Sequence, residues 1–244
     1  MAAMQISESR RRLDLERWDA PDAGSAAQQG RSTPCHELEL LVGIGVTTMV
    51  TAARTIVVEG DPIEHCFRVI HGAVRLYKSI ADGRRQVIDF LAAGECFGFI
   101  GTERYAYSVE AIADTTLVRY PRPQVEAALR RDDRLARRMF DLACAEIERA
   151  QRQMLLLGRK SADEKIASFL LALAERSDER TDAVATIRLP MSRQDVADYL
   201  GLTIETVSRT FSRLRRDGLI ALPCPQLVVL ERPRELRALA EGAC

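Results

Sequence analysis

Residues 46–121 alternate between apolar and polar positions in short stretches that Gly, Asp and Pro separate. The stretches RTIVVEG, CFRVIHGAVRLYKSI, RQVIDFLAAGECFGFIG and YSVEAIADTTLVRYP are rich in β-branched and aromatic residues. A period of two with such punctuation indicates β-strands. His71-Gly72 and Asp82-Gly83 stand where hairpin turns are expected. The regular strand spacing predicts an antiparallel sandwich or small barrel.

A helical period replaces the alternation over residues 123–157. Apolar residues recur there at spacings of three and four: Phe140, Ala143, Ile147, Ala150, Met154 and Leu157. Such a stripe fits the seam of a dimeric coiled coil, or a helix buried against its own domain. Charged residues flank the stripe and keep it narrow, which favours the dimer seam. Gly158 is expected to interrupt the helix, so a domain boundary is predicted near it.

A third unit begins after Gly158. Ser161 and Glu164 have the spacing of a helix capping box. The core face that is expected to follow consists of Ile166, Phe169, Leu170 and Leu173. The stretch TDAVATIRLPM then predicts a turn and a short strand.

Two further helical patterns meet at a tight turn near the carboxyl end. Ser192 can cap a first helix that runs to about Leu200. Gly201 permits a sharp turn, and Thr203 can cap a second helix that continues through Arg216. LIALPCPQLVVLERP follows, with the pattern of two strands around a Pro-rich turn. Helix, turn, helix and a two-stranded wing form the winged helix-turn-helix arrangement, whose second helix enters the DNA major groove.

One face of the second helix is polar, with Glu205, Ser208 and Arg209 within its first turns. Arg can bind guanine with two hydrogen bonds, Glu can accept from cytosine, and Ser suits a base or a phosphate. The candidate DNA-binding residues are Ser192, Thr203, Glu205, Thr206, Ser208, Arg209 and Arg213. Arg213, Arg215 and Arg216 are expected to extend the basic surface toward phosphates. The residues expected to pack inward are Ile204, Val207, Phe211 and Leu214. An ordinary solvated helix is the alternative interpretation.

Composition narrows the class of protein. The 244 residues are 47% hydrophobic and 29% charged, which is typical of a globular chain. No apolar run approaches the roughly 20 residues of a membrane span, and the first 34 residues lack the apolar core of a signal peptide. We therefore expect a cytoplasmic protein with no membrane partner. Equal numbers of basic and acidic residues, 35 each, exclude a uniformly basic nucleic-acid coat but leave room for a local basic surface.

Chemistry for catalysis is missing from the sequence. The six cysteines are scattered without any C-x-x-C pair. The three histidines do not form a His-x-His metal pair, and neither a P-loop nor a G-x-S-x-G pattern is present. An enzyme is therefore not expected. A ligand-binding regulatory subunit that contacts only protein is another alternative, against which Glu205, Ser208 and Arg209 argue.

YLGLTIETVSRTFSRLRRDGLI resembles the DNA-binding domain of the Crp/Fnr family, in particular its Fnr and FixK branches. Those branches carry E-x-x-S-R on the recognition helix, which falls here on Glu205, Ser208 and Arg209. QMLLLGRKSADEKIASFLLALAER resembles the family's junction between dimer helix and DNA domain, and HGAVRLYKSIADGRRQVIDFLAAGECFG its sensory barrel. The resemblance implies an α+β fold: a cupin-like antiparallel β-barrel sensory domain, a long dimerisation helix and a C-terminal winged helix-turn-helix domain.

The resemblance covers nearly everything after about Cys35 and implies a domain plan. Residues 1–34 are expected to be a disordered leader, 35–122 the sensory domain and 123–158 the dimerisation helix. Residues 159–244 are expected to bind DNA, with the helix-turn-helix at about 192–216. The implied function is a homodimeric transcription activator that recruits RNA polymerase at palindromes of the TTGAT…ATCAA type. FixK-type members act in microaerobic and nitrogen-fixation gene control.

The family's cyclic-nucleotide members hold the phosphate with an Arg-Ser pair after a Gly-Glu turn. Gly94-Glu95 matches that turn, but Tyr105 and Ala106 occupy the two positions of the Arg-Ser pair. Cyclic AMP binding is therefore not expected.

Iron–sulfur and thiol-based redox sensing also lack their cysteines. An iron–sulfur cluster needs about four thiolates held together, whereas only Cys35 precedes the barrel and Arg119 takes the position of the barrel cysteine. The redox-sensitive cysteine of the FixK subgroup corresponds to Ser192. We expect no cofactor. A haem held by His65-Cys66 or His71, or another small effector in the barrel, stays the alternative.

Overall fold

The computed structural model describes residue 41 and residues 43–99, 103–176 and 185–242. The leader expected over residues 1–34, and Cys35, lie outside the described residues. The described chain begins with β1 (Val46–Val50), β2 (Thr55–Val57), β3 (His65–His71), β4 (Ala73–Ser79), β5 (Arg85–Ala92), β6 (Cys96–Phe97), β7 (Ser108–Ala111) and β8 (Thr115–Pro121). Then follow α1 (Arg122–Leu129), α2 (Asp133–Arg159), α3 (Ala162–Arg176), β9 (Ala185–Arg188), α4 (Arg193–Leu200), α5 (Ile204–Arg216), β10 (Ile220–Cys224), β11 (Leu227–Leu230) and α6 (Pro233–Ala240).

The first eight strands, here called the β-domain, form two four-stranded sheets. Their strand orders are β1-β8-β3-β6 and β2-β7-β4-β5, and all pairs are antiparallel. Both sheets contribute to one buried core that includes Phe67, Val69, Val74, Leu76, Val109 and Leu117. The antiparallel fold predicted for this region is confirmed.

One of the two predicted hairpins is correct. β4 and β5 pair across Asp82-Gly83, where the Gly83 N–H donates to the Ile80 carbonyl at 2.9 Å. The hairpin predicted at His71-Gly72 is wrong, because β3 and β4 belong to different sheets. Gly72 carries the chain from one sheet to the other with φ 88°, and a Cβ on it would lie 2.4 Å from the Asp114 carbonyl oxygen. A hairpin and a crossing between sheets use the same turn residues, so local sequence does not separate them.

The segment predicted as one helix over residues 123–157 is two helices, α1 and α2. Residues 130–132 separate them, and the Asp132 side chain caps α2 by accepting from the Arg134 and Leu135 N–H groups at 2.9 and 3.3 Å. The interruption predicted at Gly158 is wrong, because α2 passes through Gly158 and ends at Arg159. Gly costs a helix only about 1 kcal/mol, which the other residues of a long helix offset.

The C-terminal domain, α3 to α6, begins with the capping box predicted at its start. The Ser161 N–H donates to Glu164 at 3.1 Å and the Glu164 N–H donates to the Ser161 hydroxyl at 3.4 Å. Strands β9, β11 and β10 form an antiparallel sheet, which confirms the predicted short strand and the two strands of the wing. The predicted core face of α3 is also confirmed, with three side chains buried and the fourth packed against them: Ile166, Phe169, Leu170 and Leu173.

The core of the C-terminal domain extends into the β-domain. Val87 and Phe90 of β5 are buried in the same apolar cluster as the helices. Phe90 and Phe169 lie 5.4 and 5.5 Å from the Tyr199 ring. Helices α3 and α4 therefore pack against β5 of the β-domain. Among the helices of the described residues, none combines the length and apolar character that crossing a bilayer requires.

Replacing Gly72 by Ala should destabilise the protein more than replacing Gly83 by Ala. Both glycines have positive φ, so both changes cost about 1–2 kcal/mol of backbone strain. Only at Gly72 does the new methyl group meet backbone atoms, because the space around Gly83 is open. The clash should add about 1–3 kcal/mol. Urea unfolding of the two variants measures the difference, and equal losses of stability would contradict the crossing at Gly72.

Candidate nucleic-acid interface

Side-chain caps fix the two helices of the predicted helix-turn-helix. Ser192 and Asp195 form a capping box on α4, in which the Asp195 N–H donates to the Ser192 hydroxyl at 3.1 Å. Gly201 ends α4 in the left-handed conformation at φ 61°. The Thr203 hydroxyl caps α5 by accepting from the Thr206 N–H at 3.2 Å. The predicted positions of both helices are thereby confirmed, and Ser192, Thr203 and Thr206 each have a capping role beside any contact with DNA.

α5 separates buried from exposed side chains. Glu205, Ser208 and Arg209 are exposed together, as predicted from their spacing. The buried side consists of Val207, Thr210, Phe211 and Leu214. Ile204, expected to pack inward, is 38% exposed because it is the first residue of the helix. An open groove along the polar face is lined by Ser208, Arg209, Ser212, Arg213 and Arg216.

Glu205 is held in its charged form at the start of α5. Hydrogen bonds from its own backbone N–H and from the Thr203 side chain lower the pKa of Glu205 below its usual value, and the positive charge of Arg209 adds to this. A carboxylate that stays ionised can accept from a cytosine amino group but repels phosphates. An ionised Glu205 is therefore suited to accept from a base edge rather than to contact a phosphate.

Arg213 has a protein partner that the sequence did not reveal. Its guanidinium donates to the Asp163 carboxylate in the first turn of α3. The two residues are fifty positions apart, and nothing in local spacing links them. A phosphate contact by Arg213 would therefore compete with Asp163.

Arg193 is a second residue that sequence reasoning missed. Its guanidinium carbon lies 3.6 Å from the centre of the Phe211 ring. The same group donates to the Pro225 carbonyl, in the turn of the wing, at 3.5 Å. Arg193 therefore connects the first helix to the recognition helix and to the wing. Cys224 is exposed beside this turn.

The apolar stripe predicted on α2 faces outward in the single chain. Phe140, Ile147 and Met154 are between 59% and 69% exposed. Ala150 is also exposed, whereas Ala143 and Leu157 are half-buried. Leu155, which the stripe did not include, is 65% exposed. A helix buried against its own domain would cover these side chains, so the exposure favours the interpretation as a seam for a second copy.

The residues at the nucleotide-site positions are engaged within the protein. Tyr105 is buried and its hydroxyl donates to the His65 carbonyl at 2.5 Å. Glu95 accepts from the Ala92 N–H at 2.9 Å and from Arg149 of α2 at 3.2 Å. Glu95 therefore connects the Gly94-Glu95 turn to α2. Arg119 is exposed on β8.

Of the candidate haem ligands, Cys66 is poorly suited to that role. Cys66 is buried, its thiol donates to the Gly98 carbonyl at 3.2 Å, and burial raises the pKa of the thiol to about 12. A cysteine binds metal as the thiolate, which this environment disfavours. Among the described residues, no group of three His, Cys, Asp or Glu side chains is arranged to hold a metal ion.

A β-domain followed by a winged helix-turn-helix defines a class of transcription regulator, and two domain families match these parts. Residues 48–132 match the cyclic nucleotide-binding domain and residues 164–239 the Crp-like helix-turn-helix domain. The chain is 39% identical over 228 residues to the nitrogen fixation regulation protein FixK of Azorhizobium caulinodans, covering 93% of this chain and 90% of the relative. It is 42% identical over 186 residues to FixK of Rhizobium meliloti, covering 76% and 83%.

The solved structure of FixK2 from Bradyrhizobium japonicum shares the fold. It matches with a TM-score of 0.76 at 36% identity, over 80% of this chain and 97% of that one. The chain belongs to the Crp/Fnr family and, within it, to the FixK type. It is accordingly a DNA-binding transcription regulator and not an enzyme.

Neutralising Asp163 should strengthen DNA binding through Arg213. Asp163→Asn removes the charge that holds Arg213, so the arginine becomes free for a phosphate. Binding to DNA of any sequence should tighten by about twofold to fivefold per half-site, the size of a surface ion pair of roughly 0.5–1 kcal/mol. Fluorescence anisotropy at two salt concentrations measures this. In an Arg213→Ala background the same substitution should have little effect, and an equal gain there would show that Asp163 acts by its charge alone.

Proposed function

We propose that two copies of this chain bind a palindromic operator of the TTGAT…ATCAA type and activate transcription there. In this proposal residues 35–122 form the sensory domain, 123–158 the dimerisation segment and 159–244 the DNA-binding domain. The exposed face of Glu205, Ser208 and Arg209 is the observation that carries it. That face combines a guanine-binding group and a carboxylate acceptor on a helix whose opposite side is fully used for packing.

The homodimer is supported by the exposed stripe on α2. The stripe has alternating spacings of three and four, which match a two-stranded coiled coil, and four of its six side chains are exposed: Phe140, Ile147, Ala150 and Met154. A two-fold dimer presents two recognition helices, so each can read one half of a palindrome one DNA turn apart.

Physiology and partners follow from the relatives. The FixK proteins of Azorhizobium caulinodans and Rhizobium meliloti are named for nitrogen fixation regulation, and the FnrL protein of Cereibacter sphaeroides is a transcriptional activator. We assign the chain to nitrogen-fixation or microaerobic gene control. An activator at a promoter recruits RNA polymerase, and the compartment in which a bacterial regulator meets DNA is the cytoplasm.

Arg209→Ala should lower operator affinity and guanine preference together. Loss of a two-bond contact to guanine costs about 1–3 kcal/mol in each half-site. For the palindrome the cost should be roughly 2–6 kcal/mol if the halves act additively. Anisotropy titrations on the palindrome and on single-base mismatches give both quantities.

Arg213→Ala is the matched control on the same helix. It should weaken matched and mismatched DNA alike and reduce the salt dependence by no more than about one unit of slope. If Arg209→Ala also lowered the affinity for matched and mismatched DNA equally, Arg209 would be a phosphate contact. The assignment of Glu205, Ser208 and Arg209 as the face that reads bases would then be wrong.

Ala150→Asp should weaken the dimer. Two carboxylates facing each other across the seam repel by about 1–4 kcal/mol at contact distance, depending on how far water is excluded. The dimer dissociation constant should rise by about tenfold or more, which sedimentation equilibrium measures. Gln151→Asp is the control, because Gln151 is exposed on α2 outside the stripe. A dimer equally weakened by both changes, or by neither, would remove Ala150 from the seam.

A further inference from the structure

Two arginines of the β-domain hold the first helix of the helix-turn-helix. Arg75 of β4 donates to Asp195 of α4 at 2.7 Å. Arg85 of β5 donates to Asp195 at 2.9 Å and to Asp198 at 2.9 Å. Arg75 also donates to Glu110 of β7 at 2.6 Å, which fixes its guanidinium on the sheet. We call Arg75, Arg85, Asp195 and Asp198 the clamp.

The clamp is largely shielded from water. The side chain of Asp195 is only 5% exposed and that of Arg75 14%. The two carboxylate oxygens of Asp195 have different partners. Oδ2 accepts from the Ser192 N–H and hydroxyl, and Oδ1 accepts from Arg75 and Arg85. A carboxylate has about four acceptor positions, so Asp195 is saturated. The capping box uses only Oδ2, and Oδ1 accepts only from the two arginines of the β-domain.

The clamp supplies direction at α4 that the covalent and apolar links lack, and Arg176 of α3 adds a second charged link to Asp89 of β5. Between α2 and α3 the covalent connection is residues 160 and 161 alone. Phe90, Phe169 and Tyr199 bring the two domains together, but apolar contact is not directional. Charged hydrogen bonds between planar guanidinium and carboxylate groups fix orientation as well as distance.

We propose that Arg75 and Arg85 are positioning residues for DNA recognition, which set the orientation of α4–α5 relative to the dimer helix. This rests on the proposed dimer at a palindrome. The clamp lies on α4, away from the exposed reading face of α5, so it leaves that face free. In a dimer, two clamped helix-turn-helix units are held at one fixed separation, which must match the spacing of the half-sites.

A positioning role of Arg75 and Arg85 predicts a difference between palindrome and half-site affinity that a purely structural role does not. When one unit of the dimer is bound, the second half-site is met at an effective concentration set by the geometry of the link. Releasing the clamp should lower that concentration and thus weaken binding to the palindrome. Binding to DNA with a single half-site engages one unit only and should be unaffected.

The experiment compares Arg85→Ala with Arg84→Ala. Arg84 is the neighbouring arginine and, among the residues that the structure describes, its side chain pairs with Asp82 on the exposed hairpin, so its loss is the matched control. Anisotropy titrations of the full-length protein use a palindrome and a duplex with one half scrambled. For Arg85→Ala we expect palindrome affinity to fall by about tenfold, with half-site affinity within about twofold of the original. Arg84→Ala should change neither.

A charge exchange tests the contact directly. Arg85→Asp and Asp198→Arg should each weaken palindrome binding, and the double variant should recover part of it because the pair is restored in reverse. Circular dichroism melting of every variant identifies any that fail to fold, and the Arg75→Ala variant then provides a second, independent release of the clamp.

Each outcome has a separate meaning. If the unaltered protein binds the palindrome no better than the half-site duplex, the proposed dimer function fails whatever the clamp does. If it prefers the palindrome but Arg85→Ala and Arg75→Ala retain that preference, or bind it more tightly, the positioning role is wrong. Equal losses on both DNAs would make the clamp a contributor to the fold of the helix-turn-helix and would also overturn the proposal.

Discussion

The carboxylate of Asp195 joins the two domains of the described chain. One oxygen closes the capping box of α4, and the other accepts hydrogen bonds from Arg75 and Arg85. Helix capping contributes about 1 kcal/mol locally, whereas a nearly buried carboxylate needs every one of its partners. Formation of α4 and docking of the C-terminal domain on the β-domain are therefore linked through one side chain, so neither is independent of the other.

Further ionic contacts tie the β-domain to the helices that follow it. Glu95, in the Gly94-Glu95 turn, accepts from Arg149 of the long helix. Asp89 pairs with Arg176 of α3 at 3.5 Å. Salt links thus run from the turn to the long helix, and from neighbouring strand β5 to the C-terminal domain. The chain's own side chains thus connect the β-domain both to the long helix and to the C-terminal domain.

Sequence reasoning succeeded where the signal is local and failed where it depends on distant partners. Ser192, Gly201 and Thr203 determine the helix pair within twelve residues, so its limits could be predicted. Gly72 was misassigned because a turn dipeptide does not say which strand the chain meets next. The pairs Arg213–Asp163 and Arg75–Asp195 join residues 50 and 120 positions apart. Charged residues occur throughout this sequence, and no spacing rule selects such partners.

The recognition helix keeps its two faces chemically independent. Val207, Thr210, Phe211 and Leu214 hold it in the core, while Glu205, Ser208 and Arg209 point to solvent and carry none of that packing. Substitutions on the outer face therefore leave the folding free energy almost unchanged. Over evolutionary time such a helix can acquire a new operator preference in single steps, each tolerated by the fold. The product of a duplicated gene with this architecture could diverge to control different promoters without losing folding stability.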